Sequence, residues 1–122
     1  MNCGFNWFDN NDPALKEPLP TSYMVTTLSQ IARPVDTFAF MDESAGSIDD
    51  GFFGINWPPS STWLNLPATR HDGRRSSLSY ADGHVTRIQW LAPKIWVQYD
   101  QPVASPDDQS DLALIQSKVL PQ

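Results

Sequence analysis

Cysteine is nearly absent: Cys3 is the one thiol in 122 residues. No intrachain disulfide and no cysteine-built metal cluster can form, and the redox compartment stays open on this count. Positive charge is scarce too, with 8 Lys and Arg against 14 Asp and Glu, a formal net charge of −6. So acidic a chain lacks the cationic surface that phosphate backbones require, and nucleic acid is not an expected partner. No apolar run approaches the length that crosses a membrane. The start, Met1-Asn2-Cys3-Gly4-Phe5-Asn6, has neither the positive residues nor the apolar stretch of a signal peptide. A helical bundle is excluded by 11 prolines.

What is present suits one small domain over residues 1–122. Apolar residues make up 40%, with 5 Trp and 6 Phe, enough for a thin core. Residues 1–34 read as irregular, with at most an edge strand near 21–27 and a single helical turn at 28–31. The asparagine-rich start offers no helix or strand as an anchor, which suggests the carboxy-terminal part of a longer protein. Residues 35–41, Val35-Asp36-Thr37-Phe38-Ala39-Phe40-Met41, form the strongest strand. Val35, Ala39 and Met41 lie on one side and Phe38 and Phe40 on the other, as in a central strand covered on both faces. A long loop follows over 42–70, and a loop of that length usually has a packing or functional role.

The clearest local signal is Asp82-Gly83 between two β-prone runs, 76–81 and 84–90. A two-residue Asp-Gly loop predicts a type I′ hairpin turn. Counting outward pairs Ala81 with His84, Tyr80 with Val85, Leu78 with Arg87 and Ser77 with Ile88. Leu78, Tyr80 and Val85 should then share the inward face. Ile95-Trp96-Val97-Gln98-Tyr99 reads as a further short strand or an extended packed segment. Within the tail, 91–122, a helix is predicted over 106–119. Ser105 caps it, Pro106 suits its first position, and Asp107 and Asp108 favour its positive end. Leu112, Ile115 and Val119 form its apolar stripe. The expected fold class is α+β, mainly antiparallel sheet, with long loops and a carboxy-terminal helix.

His71 stands upstream of Tyr80-Ala81-Asp82-Gly83-His84-Val85. This resembles the signature of histidine, nine residues and Asp-Gly near the carboxy end of prepilin-type proteins, the pilin-like and pseudopilin-like subunits. The segment Ile31-Ala32-Arg33-Pro34-Val35-Asp36-Thr37-Phe38-Ala39-Phe40-Met41-Asp42 is similar to the strand before that signature, and Met1-Asn2 to a Met-Asn pair upstream. The resemblance covers about residues 1–90 and extends more weakly to the helix around Asp111-Leu112. Two departures stand out. Ten residues separate His71 from Asp82, and the family's cleavage site and long apolar helix are not in this sequence. The resemblance implies a pilin-like head, a non-enzymatic structural subunit of a type IV pilin or type II secretion pseudopilin at the cell envelope, on its periplasmic or extracellular side. It implies other pilin-like subunits as partners, in a homo- or hetero-oligomer, an anchoring helix upstream in the full-length protein, and a partner for Cys3.

By their chemistry, His71, Asp82 and Gly83 are expected to be structural, the imidazole fastening a loop to the hairpin and Asp82 serving the turn. Catalysis would need Ser76, Ser77 or Ser79 beside His71, and no spacing favours that. Zinc would need His71 and His84 to converge with Asp72 or Asp82, again without a matching pattern. No cofactor is therefore required. Calcium is the open case, with Asp42, Glu43, Asp49 and Asp50 on one acidic loop as candidate ligands. The alternative function is a carbohydrate-binding module with Trp57 and Trp63 as its platform, against a reading in which those rings staple the loop to the sheet.

Overall fold

A computed structural model describes residues 2–3, 27–49, 51–56, 58–70 and 73–119. Its strands are β1 (Asn2–Cys3), β2 (Phe38–Met41), β3 (Thr62–Trp63), β4 (Arg75–Tyr80), β5 (Val85–Gln89) and β6 (Gln101–Pro102). One helix, α1 (Pro106–Gln116), follows, and a 3-10 turn spans Leu28–Gln30. The larger sheet has four antiparallel strands in the order β1-β2-β4-β5, and β3 pairs with β6 in a second, two-stranded sheet. The fold is thus α+β and mainly antiparallel, with long loops and a carboxy-terminal helix. β1 corrects the expectation that the start has no strand to anchor it: Asn2 and Cys3 pair with Met41 and Phe40. The possible edge strand near 21–27 lies almost wholly outside the described residues.

The strong strand begins three residues later than its sequence suggests. Pro34 fixes φ at a turn in which the Arg33 carbonyl accepts from the N–H groups of Asp36 and Thr37, and from the Thr37 hydroxyl at 2.9 Å. Val35 is consequently exposed on that turn instead of lining the sheet. A bulge between Phe38 and Phe40 then re-aims the side chains. Phe38 pairs with Tyr80 and Met41 with Leu78, both inward, whereas Phe40 pairs with Ser79 and faces out.

The hairpin also departs from the expected register, by one residue. The pairs are Ser79 with Val85, Leu78 with Thr86, Ser77 with Arg87 and Ser76 with Ile88. A type I′ turn needs positive φ at both central residues. Among the described residues only Asp100, Gly73 and Gly83 have positive φ, so Asp82 does not. The loop is instead three residues long. The Tyr80 carbonyl accepts from Gly83 N–H, Tyr80 N–H donates to the His84 carbonyl, and Gly83 sits at φ +94°. This is a type I turn closed by a glycine bulge. One residue of slip exchanges the faces of the second strand, so Val85 is 65% exposed while Ile88 packs on the core.

The core joins Phe38, Met41, Leu78 and Tyr80 of the larger sheet to Phe53, Trp63, Leu66, Trp90, Leu112 and Ile115. The loop over 42–70 has a packing role: Phe53, Trp63, Leu66, Pro67 and Ala68 are all buried. α1 starts as its sequence dictates. The Ser105 side chain accepts from Asp108 N–H at 3.2 Å, and Pro106 follows at the first turn. Such a cap contributes about 1 kcal/mol. The helix ends at Gln116, short of the expected 119, but Val119 still packs against the core.

Candidate functional site

Three places carry the chemistry of this surface. The first is the hairpin tip. The Asp82 carboxylate accepts from His84 N–H at 3.1 Å, and its Oδ1 lies 2.5 Å from the His84 imidazole Nδ1. The imidazole stacks on the Tyr80 ring, with centroids 4.2 Å apart and planes 5° from parallel, while Lys118 Nζ lies 5.2 Å from the centroid of that ring. Asp82 holds the turn and Gly83 supplies its positive φ. His71, the remaining member of the motif, lies outside the described residues, as does Asp72. The His84 N–H and imidazole hold the Asp82 carboxyl below its usual 3.8. A carboxylate whose pKa falls on folding contributes stability above its unfolded value, and loses it as pH drops through the native value. In an acid titration followed by NMR, the Asp82 side-chain carboxyl carbon is therefore expected to titrate with a midpoint below 3.8. A midpoint at or above that value would contradict this.

The expected ligand loop does not assemble among the described residues. Consecutive residues point to opposite faces, so Asp42 turns out to an exposed ion pair with Arg70 at 3.0 Å. Glu43 turns in, is buried, and accepts from the Ser47 hydroxyl at 2.7 Å. Asp49 is exposed, and Asp50 lies outside the described residues. No three Asp, Glu, His or Cys side chains converge among those described. Of the expected aromatic platform, only Trp63 is among the described residues. Trp63 is 1% exposed, meets Trp90 edge-on at 6.4 Å and donates through Nε1 to Asp108 at 3.1 Å, so its face is unavailable to a sugar. Trp57 lies outside the described residues. Ser76 is occupied structurally, donating to the Ala68 carbonyl and accepting from Trp90 Nε1 at 2.8 Å.

The second place, which sequence reasoning missed, is a buried ionic cluster. Lys94 Nζ, with its side chain 0% exposed, donates to Asp108 Oδ1 at 2.8 Å, Asp111 Oδ2 at 2.6 Å and the Ala92 carbonyl at 3.2 Å. It also lies 5.3 Å from the centroids of both Trp63 and Trp90. The carboxylates do further duty: Asp111 accepts from the N–H groups of Leu91 and Ala92, and Asp108 from that of Ala104. One signal was legible. Asp108 and Asp111 occupy the same helical face as Leu112 and Ile115, which predicts burial and hence a cationic partner.

The third place is the outer face of the larger sheet. Phe40 and Val85 are exposed there and, with Ser77 and Ser79, line a shallow groove of about 360 Å³. No helix among the described residues is long and apolar enough to cross a membrane. No family model, no curated protein and no solved structure matches the chain.

Proposed function

We propose that this chain is the globular head of a pilin-like or pseudopilin-like subunit, a structural part of a filament or secretion assembly at the cell envelope. The observation that carries the reading is the two-faced sheet. Its inner face shares a core with α1 and the loop over 42–70, while its outer face presents Phe40 and Val85 beside small serines. Such a face suits an apolar helix of the same or a neighbouring subunit. The reading is also supported by the Asp-Gly hairpin beside Tyr80-Ala81 and by β2 after the turn at Pro34, two of the segments that carry the resemblance. Partners are then other subunits of the kind, and the role is non-enzymatic.

The test is the coding sequence upstream of the Met1 codon. An in-frame prepilin leader followed by a long apolar segment is the expected result. A stop codon directly upstream, or an unrelated domain, would remove the reading. The burial of Trp63 weighs against the carbohydrate-binding alternative.

A further inference from the structure

Residues 91–99 invert the usual pattern of extended chain on a folded surface. Ala92 and Lys94 are buried and Trp96 half-buried, whereas Leu91, Pro93, Ile95, Val97 and Tyr99 are all exposed. Ile95 is 69% and Val97 74% exposed. The buried lysine is the cause. Its ammonium must point in to reach Asp108 and Asp111, so alternation sends the apolar side chains beside it outward. The resulting ridge is held rigidly. The Gln101 carboxamide takes the place of a neighbouring strand, accepting from Val97 N–H at 3.0 Å and donating to the Ile95 carbonyl at 3.2 Å. The Trp96 ring lies against Gly46, where a Cβ would come within 2.3 Å of Cδ1. Beside the ridge opens a cleft of about 610 Å³ floored by Leu66 and Ala92 and edged by Pro102 and Ala104, with Ile95 and Val97 as its wall.

We propose that this ridge and cleft form an interface for a second copy of the chain, in two-fold pairing that seats the ridge of each copy in the cleft of the other. Ridge and cleft adjoin and share Ile95 and Val97, so a single surface carries both complementary parts, as an isologous contact requires. Charge selects the same surface. Two chains of −6 repel one another and meet at least cost where no charge is exposed. Residues 91–99 hold one charged side chain, Lys94, and it is buried. A ridge already fixed by Gln101 and Gly46 loses little freedom on docking. The inference stands apart from the pilin-like reading: it draws on a different surface and would survive the absence of a prepilin leader.

Sedimentation velocity of the full chain from micromolar to millimolar concentration tests it. The expected result is a reversible dimer whose dissociation constant rises at least about thirtyfold in Val97→Asp, the loss typical of a central interface residue. The melting temperature of the dilute variant stays unchanged, because Val97 is largely solvated. Phe40→Asp, on the outer sheet face, leaves the dimer intact. A wild-type chain that stays monomeric throughout overturns the proposal, as does a Val97→Asp chain that still dimerises. Dissociation by Phe40→Asp alone moves the contact to the outer sheet face, which overturns the ridge and favours the pilin-like surface. A monomer that co-sediments with phosphatidylcholine vesicles through Val97 makes the ridge a lipid contact and equally overturns it.

Discussion

Replacing Lys94 by methionine is expected to cost about 3–5 kcal/mol, the loss typical when one partner of a buried ion pair is removed. For a domain of this length that is a fall of about 10–20 °C in melting temperature. The methionine preserves most of the aliphatic stem, so the loss reports the charge. Two carboxylates would remain buried, facing each other's charge with no ammonium between them. The usual rescue, replacing the whole cluster by apolar residues, is expected to fail here. Asp108 and Asp111 also accept from the N–H groups of Leu91, Ala92 and Ala104 and from Trp63 Nε1. Each donor left without a partner costs about 1–3 kcal/mol. Thermal unfolding of Lys94→Met and of the triple variant Lys94→Met, Asp108→Leu, Asp111→Leu checks both statements. A shift of only about 2 °C in the single variant, or a triple variant as stable as the parent, would show that the cluster is dispensable.

Trp63→Ala is the other substitution with a large expected effect, again about 3–5 kcal/mol. Trp63 is among the largest fully buried side chains, meets Trp90 edge-on and ties the short second sheet to α1 through Asp108. Trp63→Phe separates the two contributions. It keeps most of the ring and removes the hydrogen bond to a charged acceptor, with an expected loss of about 1.5–3 kcal/mol. Trp63 and Lys94 both donate to Asp108 Oδ1, so their losses should not add. Denaturant titration of the two single variants and the double variant measures the coupling. Strict additivity would mean that the two donors act independently and that Asp108 is not their common anchor.

Both substitutions strike a cluster whose parts are scattered along the chain, at 63, 90, 94, 108 and 111. That scatter explains why it escaped the sequence. Asp108 reads as an ordinary first-turn carboxylate beside Asp107, and no local pattern singles out Lys94. Local rules place Asp108 at the helix start correctly and miss its meeting with the lysine. By contrast the start of α1 was fully legible, because capping, proline at the first turn and helix-end electrostatics all act within four residues. Its apolar stripe was equally local.

The hairpin lies between these cases. Asp82-Gly83 marked the bend correctly, but the two-residue loop needs positive φ at both residues and the three-residue loop at Gly83 alone. Asp82 avoids that strain by accepting from His84 N–H. One residue of register follows from that choice, and with it the exposure of Val85. The bulge at Ala39 had the same consequence for Phe40. The outer sheet face of the proposed assembly surface was therefore not predictable from alternation alone.

By itself the sequence determined the fold class, the bend at 82–83, a core strand within 35–41, the capped helix at 106 and the acidic character of a domain without an intrachain disulfide, since each depends on backbone preference or composition. Only the tertiary structure decided which faces those elements show. Strand register, the inward turn of Lys94 and the outward ridge at 91–99 are settled by contacts between residues distant in the chain. Desolvating a charge is costly enough to override the apolar pattern of its neighbours.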